Sequence, residues 1–455
     1  MGSKKISRRG FMGRAAGVTG GMLASKAIML DASAPGAVPA RPAAPSDTVR
    51  FGIAGVGMRG AGLLKTAITL PGVECVAVCE LYTSRQELAK QIVGKPIQAT
   101  GRYLDLLDNK DIDCILAPVP DHWHHRMVMD CCKAGKDVYV EKPMTHEVQQ
   151  GFSMIEAAKT YNRIVQVGSQ EPSSVVYQKA RELLRQGVIG DVCLIESTLG
   201  RNSPCGAWDY TIPPNLSPET VDWETWLGPA PKLPFSKERF TRWRCFRTYG
   251  EGIPGDLFIH SLTGIHYTMD ITAPPARAAT AGGLFRWHDG RDVPDVMTTV
   301  YEYPKFRATL RVTFNTSESE VWRFLGTRGI LEMHGIENPS GFTIWPEDGK
   351  NHSPCTPAWP EPMASTYAQK WHAEHDTPPG EAQPIEATAY YAPPQYDDTR
   401  DHLWNFFQSV KTRRPSVEGP EFGNNAAIAC HMANYSYFNN AFAVWNAAER
   451  KLTSA

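Results

Sequence analysis

Hydrophobic and polar positions follow two different rhythms along this chain. Up to about residue 170, short unbroken apolar runs alternate with helix-like stretches. The runs are Phe51–Ala54, Val73–Cys79, Asp113–Val119, Val138–Val140 and Ile164–Gly168. Such runs read as strands buried on both faces. Ser84–Val93, Arg126–Ala134 and Gly151–Tyr161 between them read as helices, with Tyr103–Leu107 a shorter amphipathic piece and Gly135 a helix stop. The rhythm is βαβαβ and predicts a doubly wound parallel sheet, an α/β Rossmann domain over residues 46–170.

From Gln170 onward the period changes. Val176–Gln186 reads as a helix and Val192–Thr198 as a strand. Val296–Tyr303, Arg307–Phe314, Val321–Leu325 and Gly329–Met333 then alternate apolar with polar residues. Alternation predicts antiparallel strands with one covered face, so residues 171–455 are expected to form an α+β domain. Asn351–Gln395, rich in Pro, His and aromatic residues, is expected to be a long loop or arm. Asp401–Val410 and Asn425–Ala448 look helical, and there is no internal repeat.

The first strand runs straight into Gly55-Val-Gly57-Met58-Arg59-Gly60, followed by helix-forming Ala and Leu. In such a turn the first glycine permits the tight bend, the second admits a pyrophosphate to the backbone, and the third lets helix and strand pack closely. The free N–H groups of the helix start face the phosphate. A lone motif of this kind is weak. Here the second strand ends in Glu80, about 20 residues on, where a ribose hydroxyl acceptor is expected. A carboxylate favours NAD over NADP, while nearby Arg85 softens that preference. Ligands bind beyond the C-terminal strand ends in such sheets. His122, His124, Glu141 and Lys142 fall at those ends, and Gln170 just past the last one. All are candidates to line the cofactor crevice.

The chain has 455 residues and a net charge of −1. Without a basic block, nucleic acid and an electrostatic membrane anchor are disfavoured as partners. The ten cysteines form no CxxC pair and no metal-like spacing, so no metal site is expected. Cys131-Cys132 reads as core. Ser7-Arg8-Arg9-Gly10-Phe11-Met12 resembles a twin-arginine export signal. A weakly apolar stretch from Ala15 to Leu30 and an Ala/Pro-rich linker to about Pro45 follow it. The apolar part is too short to span stably. Residues 1–45 are therefore expected to be signal and linker, and the protein periplasmic or otherwise extracytoplasmic. A folded export route carries a protein with its nucleotide already bound.

A second constellation is Asp256-Leu-Phe-Ile-His260. On a helix the two side chains share a face, one turn apart. A carboxylate there is expected to orient the imidazole, and His260 to exchange a proton with a substrate hydroxyl. Lys142 is placed to stabilise the developing alkoxide. Lys142, Asp256 and His260 form the expected catalytic set. Just ahead of Asp256, Arg201, Trp208, Trp243, Arg244 and Tyr249 are candidate sugar contacts, since aromatic faces and guanidinium groups suit stacking and hydroxyl binding. His266 is a candidate second acid/base group whose plainer reading is a core histidine.

These residues together, GVGMRG, PDHWHH, AGKDVYVEKP and DLFIH, resemble the glucose–fructose oxidoreductase / inositol dehydrogenase / rhizopine-catabolism (Gfo/Idh/MocA) family. DWETWLGPAP near Trp223 and HLWNFFQSVKTRRP look like its exported members from environmental bacteria. The resemblance implies a Rossmann domain, an open-faced and mostly antiparallel second sheet, and redox chemistry on sugars or cyclitols. It also implies a homo-oligomer (dimer or tetramer), often with tightly held cofactor. It places Lys142, Asp256 and His260 in the catalytic roles and His124 near the cofactor. One departure stands out. Ser-Leu-Thr-Gly-Ile-His266 follows His260 where many relatives carry an aspartate. That continuation partly resembles the NAD-dependent α-N-acetylgalactosaminidases of the same superfamily. The expectation is thus an NAD(P)-dependent carbohydrate oxidoreductase, with a redox glycosidase as the alternative. A non-catalytic sugar- or cofactor-binding protein, indifferent to Lys142→Ala, is a third.

Overall fold

The computed structural model describes residues 26–31, 48–347, 354–375 and 386–455. The twin-arginine motif and the Ala/Pro-rich linker lie outside them. A short strand, β1 (Lys26–Met29), comes first in sequence and belongs to the second domain's sheet.

The first domain holds β2 (Val49–Ala54), β3 (Val73–Cys79), β4 (Gln98–Thr100), β5 (Cys114–Ala117), β6 (Asp137–Val140) and β7 (Val165–Val167). They form one sheet in the order β4-β3-β2-β5-β6-β7. Every pairing is parallel. Its connecting helices are α1 (Met58–Ala67), α2 (Thr83–Val93), α3 (Leu104–Asp108), α4 (Asp121–Lys133) and α5 (Gln150–Thr160). This is the doubly wound order in which the chain reverses direction across the sheet at β2/β5, and the crevice for a ligand opens there. The unbroken apolar runs follow from burial on both faces. Ile115, Ala117, Val138 and Val140 pack with Met127, Cys131 and Cys132 of α4 on one side. Phe51, Ile53, Leu116 and Tyr139 pack with Leu63 and Leu64 of α1 on the other.

The second domain continues with α6 (Val175–Arg185), β8 (Val192–Gly200), α7 (Trp223–Leu227), α8 (Lys237–Thr241) and α9 (Ile259–Thr268). Strands β9 (Arg277–Gly283), β10 (Val296–Glu302), β11 (Arg307–Thr313), β12 (Val321–Gly326), β13 (Gly329–Met333) and β14 (Gly341–Pro346) follow. The chain then forms α10 (Glu361–His375), β15 (Thr388–Tyr391), α11 (Asp398–Thr412), α12 (Pro420–Asn439), β16 (Ala443–Asn446) and β17 (Lys451–Ser454). The eleven strands of this sheet run β1-β15-β14-β13-β12-β8-β11-β10-β9-β16-β17. Only the β8–β11 and β1–β15 pairs are parallel. Alternate residues such as Met297, Tyr301, Ala308 and Leu310 point into a core, while Val300 on the opposite face of β10 is 38% exposed.

Three expectations need correcting. The Asn351–Gln395 stretch is not all loop, because it contains α10 and β15 among its described residues. The last helix does not run from Asn425 to Ala448. It spans Pro420–Asn439 and ends where Asn440 takes the left-handed conformation (φ 50°), and the chain then turns into the β16–β17 hairpin. Although α11 lies far beyond residue 170 in sequence, in space it covers the first sheet. Leu403, Trp404, Phe406 and Phe407 pack on Phe51 and its neighbours.

Candidate active site

A cleft of about 580 Å³ runs between the two domains. That volume lies within the range of small-molecule and cofactor sites, about 300–1,000 Å³. At one end is the glycine turn. Gly55 has φ +95°, and a Cβ there would lie 2.8 Å from the Pro118 carbonyl oxygen. A Cβ on Gly60 would lie 2.2 Å from the Gly55 oxygen, so helix and turn are in contact. At Gly57 a Cβ would meet only the Arg85 guanidinium, at 3.7 Å. The residue faces open space where a phosphate needs to approach. Helix α1 starts at Met58 with no side-chain cap and no acidic residue in its first turn. Its leading N–H groups are left for an anion.

Glu80 closes this end. Its Oε2 accepts the Val56 N–H at 2.7 Å, and its Oε1 accepts those of Leu81 and Tyr82 at 2.9 and 3.0 Å. These bonds hold the carboxylate against the turn, on the cleft wall. Arg85 lies beside it over the Tyr82 and Phe240 rings. Further in, Arg59 Nε donates to Glu141 Oε1 at 2.7 Å. Burial alone would push the Glu141 carboxyl up, but the Arg59 charge outweighs it and holds it below its usual range. The turn, the uncapped helix and the acidic residue at the end of β3 fit a dinucleotide.

At the other end the second domain contributes. Lys142 Nζ donates to the Asp256 carbonyl oxygen at 2.6 Å and to its Oδ1 at 3.3 Å. Arg244 Nε reaches the same Oδ1 at 2.9 Å, and Trp208 Nε1 donates to Oδ2 at 3.0 Å. Burial opposes the Asp256 charge, yet Lys142 and Arg244 outweigh it and keep the carboxyl far below its usual range. His260 lines the same stretch of cleft. Its partner is not Asp256. Nδ1 lies 2.8 Å from Oε1 of Glu171, a residue with no solvent exposure. The i,i+4 expectation fails because Pro254–Phe258 is a π-helical turn rather than α-helix. The wider i→i+5 turn rotates Asp256 away from His260.

Gly55, Gly57, Met58, Arg59, Glu80, Glu141, Lys142 and Gln170 line the cleft, as do Arg201, Trp243, Arg244, Asp256 and His260. Other candidates support it from behind. His122 is buried against Trp226 and Tyr249, and burial lowers its pKa to about 4. His124 joins the carbonyls of Val119 and Pro143, tying the loop after β5 to the one after β6. Trp208 is 1% exposed and holds Asp256, so it offers no face to a sugar. Tyr249 is fully buried in the core beside Trp226. His266 bonds Tyr303 Oη at 2.8 Å, and burial lowers its pKa to about 3, so it is a core histidine.

Three residues escaped the sequence reading. Glu171 follows the last Rossmann strand in a segment without pattern. Glu337 lines the cleft beside Arg201, with which it pairs. Asp121, the first residue of α4, also lines the cleft, and its Oδ2 accepts the Glu251 N–H at 3.0 Å. Burial pushes the Asp121 carboxyl up to about 7. Its position inside the PDHWHH segment was the available signal.

The raised Asp121 pKa makes a stability prediction. The folded protein holds this proton more tightly than the unfolded chain, so the group costs nothing below about pH 4. The cost then grows to about pH 7, reaching a few kcal/mol. Asp121→Asn, which keeps the hydrogen bond from Glu251, is expected to match the wild type near pH 4 and exceed it at pH 8. Urea unfolding at both pH values measures this. An equal difference at the two values would contradict the assignment.

Comparisons with known proteins bear on this geometry. Residues 49–169 match a family model described as GFO_IDH_MocA, oxidoreductase family, NAD-binding Rossmann fold. Residues 177–332 match the GFO/IDH/MocA C-terminal domain. A glycosyl hydrolase family 109 protein of Shewanella pealeana is 33% identical over 210 residues, 41% of this chain and 44% of that protein. An alpha-N-acetylgalactosaminidase of Shewanella oneidensis is 29% identical over 208 residues, with the same shares. The chain thus matches less than half the length of these relatives. The aldose–aldose oxidoreductase of Caulobacter crescentus superposes with a TM-score of 0.62 at 16% identity, over 87% of this chain and 99% of that one. A levoglucosan dehydrogenase in complex with NADH and levoglucosan gives 0.59 at 16%, over 87% and 98%. At such identities the structural likeness speaks for the fold.

Proposed function

The chain belongs to the GFO/IDH/MocA family of NAD-dependent oxidoreductases, and we propose that it transfers hydride from a sugar, cyclitol or glycoside hydroxyl carbon to tightly bound NAD. The observation that carries this is the pairing of ends in one cleft. The glycine turn and Glu80 lie at one, Lys142, Asp256 and His260 at the other.

Bound there, NAD supplies the carbon that accepts the hydride. The chain's residues do the rest. A substrate hydroxyl set between Lys142 and His260 gives its proton to the imidazole as the C–H electron pair departs, and the C–O bond becomes a carbonyl. The Lys142 ammonium stabilises the charge growing on that oxygen. Asp256 holds Lys142 and Arg244 on the substrate side. The Trp243 ring and the Arg244 guanidinium, stacked 4.3 Å from its centroid, together line the wall that a sugar would meet. Export by the twin-arginine route, with the nucleotide loaded beforehand, and assembly into a dimer or tetramer belong to the same proposal.

A second reading is a redox glycosidase that oxidises a ring hydroxyl, eliminates the aglycone, adds water and reduces the product. The family 109 relatives and a second acid on the cleft wall, Asp121, favour it. The two readings part on an aryl glycoside offered without added nucleotide. The dehydrogenase is expected to leave the glycoside bond intact and to reduce its bound NAD with a free sugar. Aglycone release with no net nicotinamide reduction would replace the first reading by the second.

A further inference from the structure

Behind His260 lies a group of buried acids that hydride transfer as described does not use. Glu171, in the 3-10 turn Glu171–Ser173, is one. Asp398, at the start of α11, and Glu418, just before α12, are the others, and none of the three has solvent exposure. Oε2 of Glu171 is buried without a hydrogen-bond partner, and Asp398 and Glu418 have only Thr399 and Ser169 beside them as hydrogen-bonding neighbours. Three buried carboxylates so placed cannot all be ionised. Burial first, then the Glu171 charge, push the Asp398 and Glu418 carboxyls far above their usual range. Charge is thus disfavoured on Asp398 and Glu418, and of the three carboxyls Glu171 is the one that touches His260.

We propose that Glu171 is the positioning residue of the catalytic base. It holds the His260 proton on Nδ1, leaves Nε2 for the substrate hydroxyl, and balances the positive charge the imidazole gains. Asp256 cannot do this, because its oxygens are engaged by Lys142, Arg244 and Trp208. The 2.8 Å contact joins Oε1 to Nδ1. Glu337 faces His260 and Tyr177 faces Glu171, while Lys142 lies by Glu337 and Arg59 by Asp398. Lys142 is already paired with Asp256, Glu337 with Arg201, and Arg59 with Glu141.

The kinetic consequence rests on the hydride-transfer reading; the protonation state of His260 does not. Nitrogen-15 histidine spectra of the full chain, with His260 assigned by its loss in His260→Ala, read that state directly. The expected tautomer carries its proton on Nδ1. In Glu171→Gln the His260 titration midpoint is expected to fall, because the imidazolium loses its counter-charge. Single-turnover reduction of bound NAD by sugar is expected to slow about 10- to 100-fold. Its acidic limb should shift to lower pH with nucleotide content unchanged. Adding Glu171→Gln to His260→Ala should cost nothing more. A wild-type proton on Nε2, an unmoved midpoint, or multiplying effects in the double variant would each overturn the assignment. If the glutamine variant does not fold, the wild-type tautomer alone decides. If no sugar reduces the wild type, the functional reading fails while the spectra still decide on Glu171.

Discussion

Lys142→Met is expected to slow reduction of the bound nucleotide about a thousandfold while leaving the protein folded and loaded. The substitution keeps the aliphatic stem and removes only the ammonium. That group donates to the carbonyl oxygen and to Oδ1 of Asp256. The ammonium that faces the substrate oxygen as it becomes an alkoxide would be gone, and losses from removing such a donor run at about 10²–10³ or more. Asp256 would keep Arg244 and Trp208, so a large loss of stability is not expected. Stopped-flow reduction with a saturating sugar, with nucleotide content measured in parallel, checks both halves. An unchanged rate would remove Lys142 from the chemistry.

The second large effect is expected at Gly60. A Cβ there would sit 2.2 Å from the Gly55 oxygen and 3.0 Å from Pro118 Cγ. The first contact is with backbone, so the turn itself must open. Gly60→Ala is therefore expected to lose the bound nucleotide and to destabilise the protein by about 1–3 kcal/mol through overpacking. Gly62→Ala is the control for stability. A Cβ at that position, in the same helix, meets nothing within 4 Å, and the change should gain about 0.5–1 kcal/mol from helix propensity. Nucleotide retained in the Gly60 variant would show that the turn does not cradle the phosphates.

Much of the first domain was legible because its physics is local. A strand buried on both faces must be an unbroken apolar run, and a turn that approaches phosphate must lack side chains. Glu80 could be placed from spacing alone, since the strand fixes where it ends. The antiparallel strands announced themselves in the alternation of residues such as Met297, Thr299 and Tyr301. The misreadings have non-local causes. Whether residues 398–412 cover the first or the second domain is decided by long-range packing of Phe406 and Phe407, which composition does not encode. The partner of His260 was misassigned because i,i+4 spacing presumes an α-helix. The π-turn at Pro254–Phe258 breaks that presumption, and Glu171 arrives from 89 positions away. Trp208 and Tyr249 illustrate a further limit. An aromatic residue near an active site in sequence has equal reason to fill the wall behind it, and here both do.

The central claim is that hydride passes from a carbohydrate carbon to a nicotinamide held by this chain. The most direct measurement offers carbon-deuterated sugars to the nucleotide-loaded protein, then denatures it and weighs the released nucleotide. Reduced nucleotide carrying one deuterium is expected, formed about a thousandfold more slowly in Lys142→Met. Nucleotide that stays oxidised and unlabelled with every sugar and glycoside offered would contradict it.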